Sequence, residues 1–250
     1  MLKKIILPLL LLTMFSVRCT EKEFNAAVDT ASKAASDYNN GSGGGSFSPN
    51  LISSALKQAL ENGVGRGVDV LSARNGFWSN LAVRILLPPQ AREVETKLRE
   101  LGLGNLVDKC LLDINHAAED AATGARPIFV QAITSMSFSD ARNILMGGNK
   151  SAATEYLQRT TSDALYESFK PVIFNSLNKV GAMNTWRDVT TKYNSIPFVQ
   201  KVNPDLADHV THKAMDALFS MIQKEENDIR KDPIKRTTEL LRKVFAAQDK

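Results

Sequence analysis

Apolar residues recur at intervals of three and four along most of the chain, which is the spacing of one face of an α-helix. The clearest stripe has six members: Leu206, Val210, Ala214, Leu218, Ile222 and Ile229. It predicts a helix over 205–231. Weaker patterns predict helices from Pro49 to the glycines at 63, 65 and 67, and over 90–101, 105–122, 137–146, 151–158, 160–177 and 233–247. Sustained alternation of apolar and polar residues, the mark of a half-buried strand, is missing, so the fold is predicted to be all-α.

Capping residues set several of the predicted helix boundaries. Ser48 followed by Pro49 is typical of a helix start, and Gly147 is placed to end a helix that Ser137 begins. Thr160 and Asp163 resemble a capping box, which predicts that a new helix starts there. The prolines at 88 and 89 predict an extended segment over 84–89, because the residue before a proline avoids helical backbone angles. The helix over 105–122 has its predicted apolar stripe at Leu106, Cys110, Ile114, Ala117 and Ala121.

The first 19 residues have the three parts of a secretory signal. Lys3 and Lys4 form a short cationic start, and Ile5–Phe15 is an apolar run interrupted only by Pro8 and Thr13. A helix that spans a bilayer needs about 20 apolar residues, so this run is too short for a permanent span. The sequence therefore predicts export of the protein to the periplasm or the cell envelope.

Cys19 lies four residues after the end of the apolar run and resembles the lipid-attachment cysteine of bacterial lipoproteins. Arg18 departs from that pattern, since a small residue usually precedes such a cysteine. The alternative is a cut by ordinary signal peptidase, with Val17 and Cys19 as the small flanking residues. The Gly- and Ser-rich stretch over 37–50 is typical of a tether between an anchor and a folded body, and it favours lipidation. The predicted organisation is a signal at 1–19, a flexible tether with room for some helix at 20–50, and a single compact multi-helix domain at 51–247.

The net charge of the folded body is lower than that of the whole chain, because the signal contains three basic residues and no acidic one. The whole chain has 31 basic and 27 acidic residues, a net charge of +4. Without Lys3, Lys4 and Arg18 the body has 28 basic and 27 acidic residues. This balance argues against a nucleic-acid partner, which requires a concentrated basic surface. Cys110 is the one cysteine left in the body, and we expect it to be a small buried apolar residue.

His209 and His212 are three residues apart on one predicted helix, with Asp205 and Asp208 close by. Two histidines and a carboxylate at this spacing are weak candidates for a zinc site. The alternative, a solvated helix face without a metal, is favoured because the only other histidine is His116, and nothing in the sequence brings it close. No cofactor is predicted.

A second polar group lies on the helix over 105–122 and contains Asn115, His116, Glu119 and Asp120. His116 and Glu119 have the spacing of an acid/base pair. The favoured interpretation is the charged flank that any amphipathic helix has. The same interpretation, an exposed helix with many ion pairs, is given to the mixed charges over 224–243.

Arg159, Thr160 and Thr161 are candidates for a ligand site, together with Asn115. A guanidinium and free backbone N–H groups at a helix start can hold an anion. A plain helix cap is the favoured alternative. The glycines at 63, 65 and 67 are not preceded by a strand, so they predict the end of a closely packed helix rather than a dinucleotide site.

Six motifs, in order along the body, resemble one family of exported bacterial proteins, DUF4197. They are LISSALKQALENGVGRGVDVLS, GFWSNLAVRILLP, LRELGLGNLVDK, ARPIFVQAITSMSFSDARNILMGG, ATEYLQRTTSDAL and KAMDALFSMIQKEENDIRKDP. The resemblance implies a helical domain after a signal. It implies no activity, because none is established for the family.

The residues and the resemblance together predict a non-enzymatic envelope protein that binds a small molecule, a lipid or a protein partner. The alternative is a hydrolase or metal-dependent enzyme of unrecognised type, which uses His116 and Glu119 or His209 and His212. A third possibility is a structural module that oligomerises through an apolar helical face.

Overall fold

The computed structural model of the protein describes residues 49–100, 102–195, 197–198, 201, 203, 205–236 and 242. This part of the chain is helical and contains no strand, which confirms the predicted all-α fold. Its α-helices are α1 (Pro49–Ser72), α2 (Arg92–Glu100), α3 (Gly104–Ala122), α4 (Ala125–Thr134), α5 (Phe138–Met146), α6 (Ala152–Lys179), α7 (Ala182–Asn194) and α8 (Leu206–Lys231). Short 3-10 turns occupy Pro89–Ala91 and Pro233–Lys235. The predicted signal, Cys19 and most of the predicted tether lie outside the described residues.

The two longest helices, α6 and α8, pack against each other in antiparallel directions. Thr154 at the start of α6 contacts Glu226 near the end of α8, whereas Tyr166 contacts Asp208 at the start of α8. Helix α1 also runs antiparallel to α8, since Gly63 lies beside Glu225. The starts of α1 and α6 and the end of α8 therefore form one end of the domain, the proximal end. The opposite end, where α8 starts, is the distal end.

The buried face of α8 is the one that the sequence predicts. All six residues of the stripe from Leu206 to Ile229 are buried in the core between α8, α6 and α1. Asp205 caps the helix by accepting a hydrogen bond from the backbone N–H of Asp208, 2.9 Å away. The long apolar period and the cap act together, which explains why this prediction is confirmed over its full length. None of the described helices combines the length and apolar character that crossing a bilayer requires.

Helix α1 continues through its three glycines, so the predicted helix end there is wrong. A Cβ atom built on Gly63 lies 3.6 Å from the Cβ of Glu225, and one built on Gly67 lies 3.6 Å from the Cβ of Met221. The glycines thus let the backbones of α1 and α8 approach. Glycine destabilises a helix interior by about 0.5–1 kcal/mol relative to alanine, and burial of Val64 and Leu71 on the same helix offsets this cost.

We expect Gly63→Ala to stabilise the domain by about 0.5–1 kcal/mol, because the added methyl group meets its neighbours at ordinary contact distance and the unfolded chain loses freedom. Urea unfolding followed by circular dichroism measures this change. Gly76→Ala is the matched control with the opposite sign, since its methyl group overlaps the carbonyl oxygen of Val70. A loss of stability in Gly63→Ala would contradict the close but unstrained packing of α1 on α8.

Three further elements differ from the prediction. The predicted helices over 151–158 and 160–177 are one continuous helix, α6, with Pro171 inside it. Helix α7 has no counterpart in the prediction, because its apolar positions are few and it buries Trp186 beside the polar Thr190. The predicted helix over 233–247 begins as a 3-10 turn capped by Asp232, and nearly all of its remainder lies outside the described residues.

The buried stripe of α3 is rotated slightly from the predicted one. Val107 and Leu111 are buried with Ile114, whereas Leu106 is exposed, so that member of the predicted stripe is wrong. Cys110 is a half-buried free thiol at the edge of the core, and burial raises its pKa. The thiol is therefore held in its neutral form by its surroundings.

Candidate functional site

A cluster of polar side chains lies between α6 and α8 at the distal end. This distal cluster consists of Tyr166 and Lys170 on α6 and of Asp205, Asp208 and His212 at the start of α8. Tyr166 and Lys170 are four residues apart, as are Asp208 and His212, so each pair lies on one face of its helix. The antiparallel packing of α6 on α8 brings the two faces together.

Lys170 lies at the centre of the distal cluster. Its Nζ donates to the hydroxyl oxygen of Tyr166 at 2.8 Å and is 3.0 Å from a carboxylate oxygen of Asp205. Tyr166 in turn donates to Oδ1 of Asp208 at 2.6 Å. The hydrogen bonds with Tyr166 and Asp205 raise the pKa of Lys170 well above its ordinary value, so the side chain is an ammonium ion at any physiological pH.

Asp205 is held as a carboxylate by the same contacts. Burial opposes ionisation, but hydrogen bonds from the Asp208 N–H and from Lys170 outweigh it and lower the pKa of Asp205. The ammonium of Lys170 thus occupies the place between two carboxylates that a metal ion would need. One ammonium ion is shared by two carboxylates, an arrangement that fastens α6 to α8.

The two histidines of α8 face different partners. Nε2 of His209 lies 3.0 Å from the carbonyl oxygen of Leu86, and burial lowers the pKa of His209, so a neutral ring donates this hydrogen bond. His212 is largely exposed, with Nε2 at 3.6 Å from Oδ1 of Asp208 and its ring beside that of Tyr166. The described residues contain no group of three or more His, Cys, Asp or Glu that could hold a metal ion. His212 lies on an exposed face of α8, whereas His209 contacts the backbone at Leu86.

Asn115 on α3 is completely buried and holds the segment that follows α1, residues 73–88, which we name the strap. The strap consists mainly of turns up to residue 83 and has no regular structure over 84–88. Its Oδ1 accepts from the N–H of Ile85 at 2.9 Å, and its Nδ2 donates to the carbonyl oxygen of the same residue at 2.9 Å. Since His209 bonds to Leu86, the next residue, α3 and α8 fasten neighbouring positions of the strap. The side chain of Asn115 thus satisfies both backbone polar groups of Ile85, which would otherwise be buried without a hydrogen-bond partner.

Glu119, one turn further along α3, holds the beginning of the strap. Its carboxylate accepts hydrogen bonds from the backbone N–H groups of Asn75, Phe77 and Trp78, at 3.0, 3.2 and 3.5 Å. His116 is 3.9 Å from Glu119 and 3.1 Å from the side-chain oxygen of Asn75. The interpretation of these residues as a charged flank is wrong, because Asn115 and Glu119 are buried. In the structure, Asn115 and Glu119 bind backbone groups of the strap. The Glu119 carboxylate, which an acid/base pair would need, already accepts hydrogen bonds from three backbone N–H groups.

The predicted anion site depended on a helix start at Arg159, Thr160 and Thr161. These residues lie inside α6 instead, so the helix start on which that prediction depended is absent. Thr160 donates to the carbonyl oxygen of Tyr156, and Thr161 donates to that of Leu157. Backbone N–H groups inside a helix are used by the helix itself and are not free to bind an anion. Arg159 is exposed, with its guanidinium 5.6 Å from the centre of the Tyr156 ring. These contacts lie within α6 and bring none of the three residues to Asn115 or to His212.

The most buried ion pair in the described part, that of Glu226 and Arg230, was missed by the sequence analysis. At the proximal end, Glu226 accepts from the N–H groups of Ala153 and Thr154 and from the Thr154 hydroxyl, at 3.1, 2.9 and 2.7 Å. Arg230 donates to the same carboxylate at 2.7 Å and to the carbonyl oxygen of Ile144 at 3.0 Å. Glu226 therefore caps α6 from another helix. The sequence does contain an indication of this buried pair, because Glu226 lies between Ile222 and Ile229 in the apolar stripe of α8.

The comparisons with known proteins concern the whole of this domain. Residues 46–246 match the sequence profile of a family described as "Protein of unknown function (DUF4197)". The match includes α1 to α8, the strap, the distal cluster and the Glu226–Arg230 pair. Comparison with curated proteins and with solved structures gave no match.

Proposed function

Because the chain belongs to the DUF4197 family, whose function is unknown, we propose a role for it from its own residues. The protein is exported to the bacterial cell envelope, is attached to a membrane through a lipid on Cys19, and acts as a binding module without catalytic activity. The observation that carries this proposal is the amino-terminal sequence, with Lys3 and Lys4 before the apolar run Ile5–Phe15 and Cys19 four residues after it.

The chemistry of the folded domain supports binding in preference to catalysis. Asn115, Glu119 and Glu226 are buried and bind backbone groups, and Lys170 is neutralised by two carboxylates. Within the described residues, no buried side-chain nitrogen or oxygen lacks a hydrogen-bond partner. Enzymes usually keep at least one reactive group free of such structural contacts, with a pKa near the working pH. The polar groups of this domain stabilise its fold.

Mass spectrometry of the mature protein tests export and the anchor together. We expect the wild-type protein in the membrane fraction, with Cys19 as its acylated first residue, and Cys19→Ser released from that fraction. Cys110→Ser is the matched control, because it removes the half-buried thiol of the folded domain and leaves the anchor intact.

Two other results would overturn parts of this proposal. A mature chain that begins at another residue without a lipid retains export and refutes the anchor. A cytosolic chain with Met1 still attached refutes both.

A further inference from the structure

Phe198, between α7 and α8, is the most exposed large apolar side chain in the described part of the protein. Its relative exposure is 108%, so the ring has essentially no contact with the rest of the domain. Its backbone φ is +66°, a left-handed angle that is unusual for any residue other than glycine and strained for a bulky one. The chain thus presents an aromatic ring to its surroundings in a backbone conformation that is costly to maintain.

Other exposed apolar residues lie at the same distal end. Leu81 and Leu86 belong to the strap, whose Leu86 is bound by His209 in the first turn of α8. Phe174 follows Lys170 by one turn of α6, and Lys170 is paired with Asp205 at the start of α8. Scattered single apolar residues are normal on protein surfaces, but several at one end together with a protruding ring are typical of a contact surface.

The segment that carries Phe198 is positively charged. Residues 175–204 contain four basic residues and one acidic residue: Lys179, Arg187, Lys192, Lys201 and Asp188. Lys170 pairs with the aspartates at 205 and 208, which follow in sequence, so these three residues together add one negative charge. The segment and this group still have a net charge of +2, whereas the rest of the body is close to neutral.

We propose that the distal end is a second membrane contact, in which the Phe198 ring enters the interface of a bilayer that contains anionic lipid. Aromatic rings are favoured at the boundary between headgroups and acyl chains, where the apolar ring leaves water. Each nearby lysine or arginine adds to the attraction to an anionic surface. The inference rests on the proposed export only in that export brings the domain to an envelope membrane.

A lipid surface fits this end better than a second copy of the chain does. A stable protein interface buries roughly 800 Å² on each partner and requires a broad complementary surface. A single ring that stands clear of its own domain has no such surface around it, whereas fluid lipids can close around it. The excess of basic residues over 175–204 also disfavours pairing of two identical positive ends and favours anionic headgroups.

The length of the chain permits both membrane contacts at once. Helix α1, which begins at the proximal end, has 24 residues and is roughly 36 Å long. The 29 residues over 20–48 between Cys19 and Pro49 can span at most about 100 Å when fully extended. A lipid on Cys19 and the ring of Phe198 can therefore reach the same bilayer.

Fluorescence quenching in the full-length protein tests the contact at residue 198. The variant Phe198→Trp is mixed with vesicles of phosphatidylethanolamine and phosphatidylglycerol in which part of the lipid is brominated on its acyl chains. We expect the emission added by residue 198 to fall by about half or more, because an interfacial ring lies roughly 5–10 Å inside the headgroup boundary. Pure phosphatidylcholine vesicles should give several-fold less quenching. Met146→Trp is the matched control, since Met146 is similarly exposed at the proximal end; we expect little quenching there.

Three outcomes would overturn the proposal. One is emission from Phe198→Trp that brominated anionic vesicles leave unchanged. Another is equal quenching at positions 146 and 198, which would indicate contact through the anchor alone. The last is a blue shift without vesicles that grows with protein concentration, which would identify a second copy as the partner. The mass of the amino terminus in the same samples reports on the Cys19 anchor, so failure of the anchor and failure of the distal contact are read separately.

Discussion

Glu226→Ala is expected to destabilise the domain by about 3–5 kcal/mol, the cost of leaving one partner of a buried ion pair alone. The side chains of Glu226 and Arg230 are only 5% and 13% exposed, so water does not replace the lost carboxylate. The same change uncaps α6, whose N–H groups at Ala153 and Thr154 lose their acceptor. Urea unfolding at neutral pH, followed by circular dichroism, measures the loss.

Glu225→Ala is the matched control for this prediction. Glu225 also pairs with an arginine, Arg66, but the two side chains are 18% and 40% exposed, so water reaches this pair more easily. A pair near the surface contributes about 1 kcal/mol or less. Equal losses in the two variants would mean that burial of Glu226 and its cap on α6 have no energetic consequence, contrary to the structure.

Glu119→Ala is expected to cost about 2–4 kcal/mol, because up to three backbone N–H groups of the strap lose their acceptor and at least one of them, that of Phe77, is buried. The loss should be accompanied by a change in tryptophan fluorescence, since Trp78 lies directly at the clamp. Guanidinium unfolding monitored at the tryptophan emission maximum reports both effects.

Asp120→Ala, one residue away, is the control for the strap clamp. Asp120 is exposed and accepts from the Ser176 hydroxyl at 2.8 Å, so its loss should cost less than about 1 kcal/mol. If Glu119→Ala were as mild as Asp120→Ala, the strap would be held by Asn115 and His209 without help from the carboxylate.

Fold class and the longest helix could be predicted from the sequence because they depend on local patterns. The stripe from Leu206 to Ile229 has a helical period over more than six turns, and Asp205 supplies a cap that is readable from sequence. Predictions made from single residues were less successful. The glycines of α1 and the Thr160–Asp163 pair resemble helix boundaries, but packing of α1 on α8 and of α6 on α8 overrides these local preferences.

The polar clusters could not be predicted because their partners are distant in sequence. Glu119 and Asn115 resemble the charged flank of a helix, and only the path of the strap shows that their partners are backbone groups 30 to 44 residues earlier. Glu226 is the exception in principle, since a carboxylate in the middle of an apolar stripe requires a partner inside the core. His209 has its partner in the strap, 123 residues earlier, so its spacing to His212 gives no information about its contact.

The cap that Glu226 provides for α6 has a consequence for how the polypeptide is made. The acceptor for the first turn of α6 follows that turn by 72 and 73 residues, so it leaves the ribosome later by roughly 4–15 seconds. Contacts of such long sequence separation slow the search for the native state. A nascent chain that ends before α8 lacks the acceptor for the first turn of α6, so we expect the start of that helix to be less stable until α8 has been made.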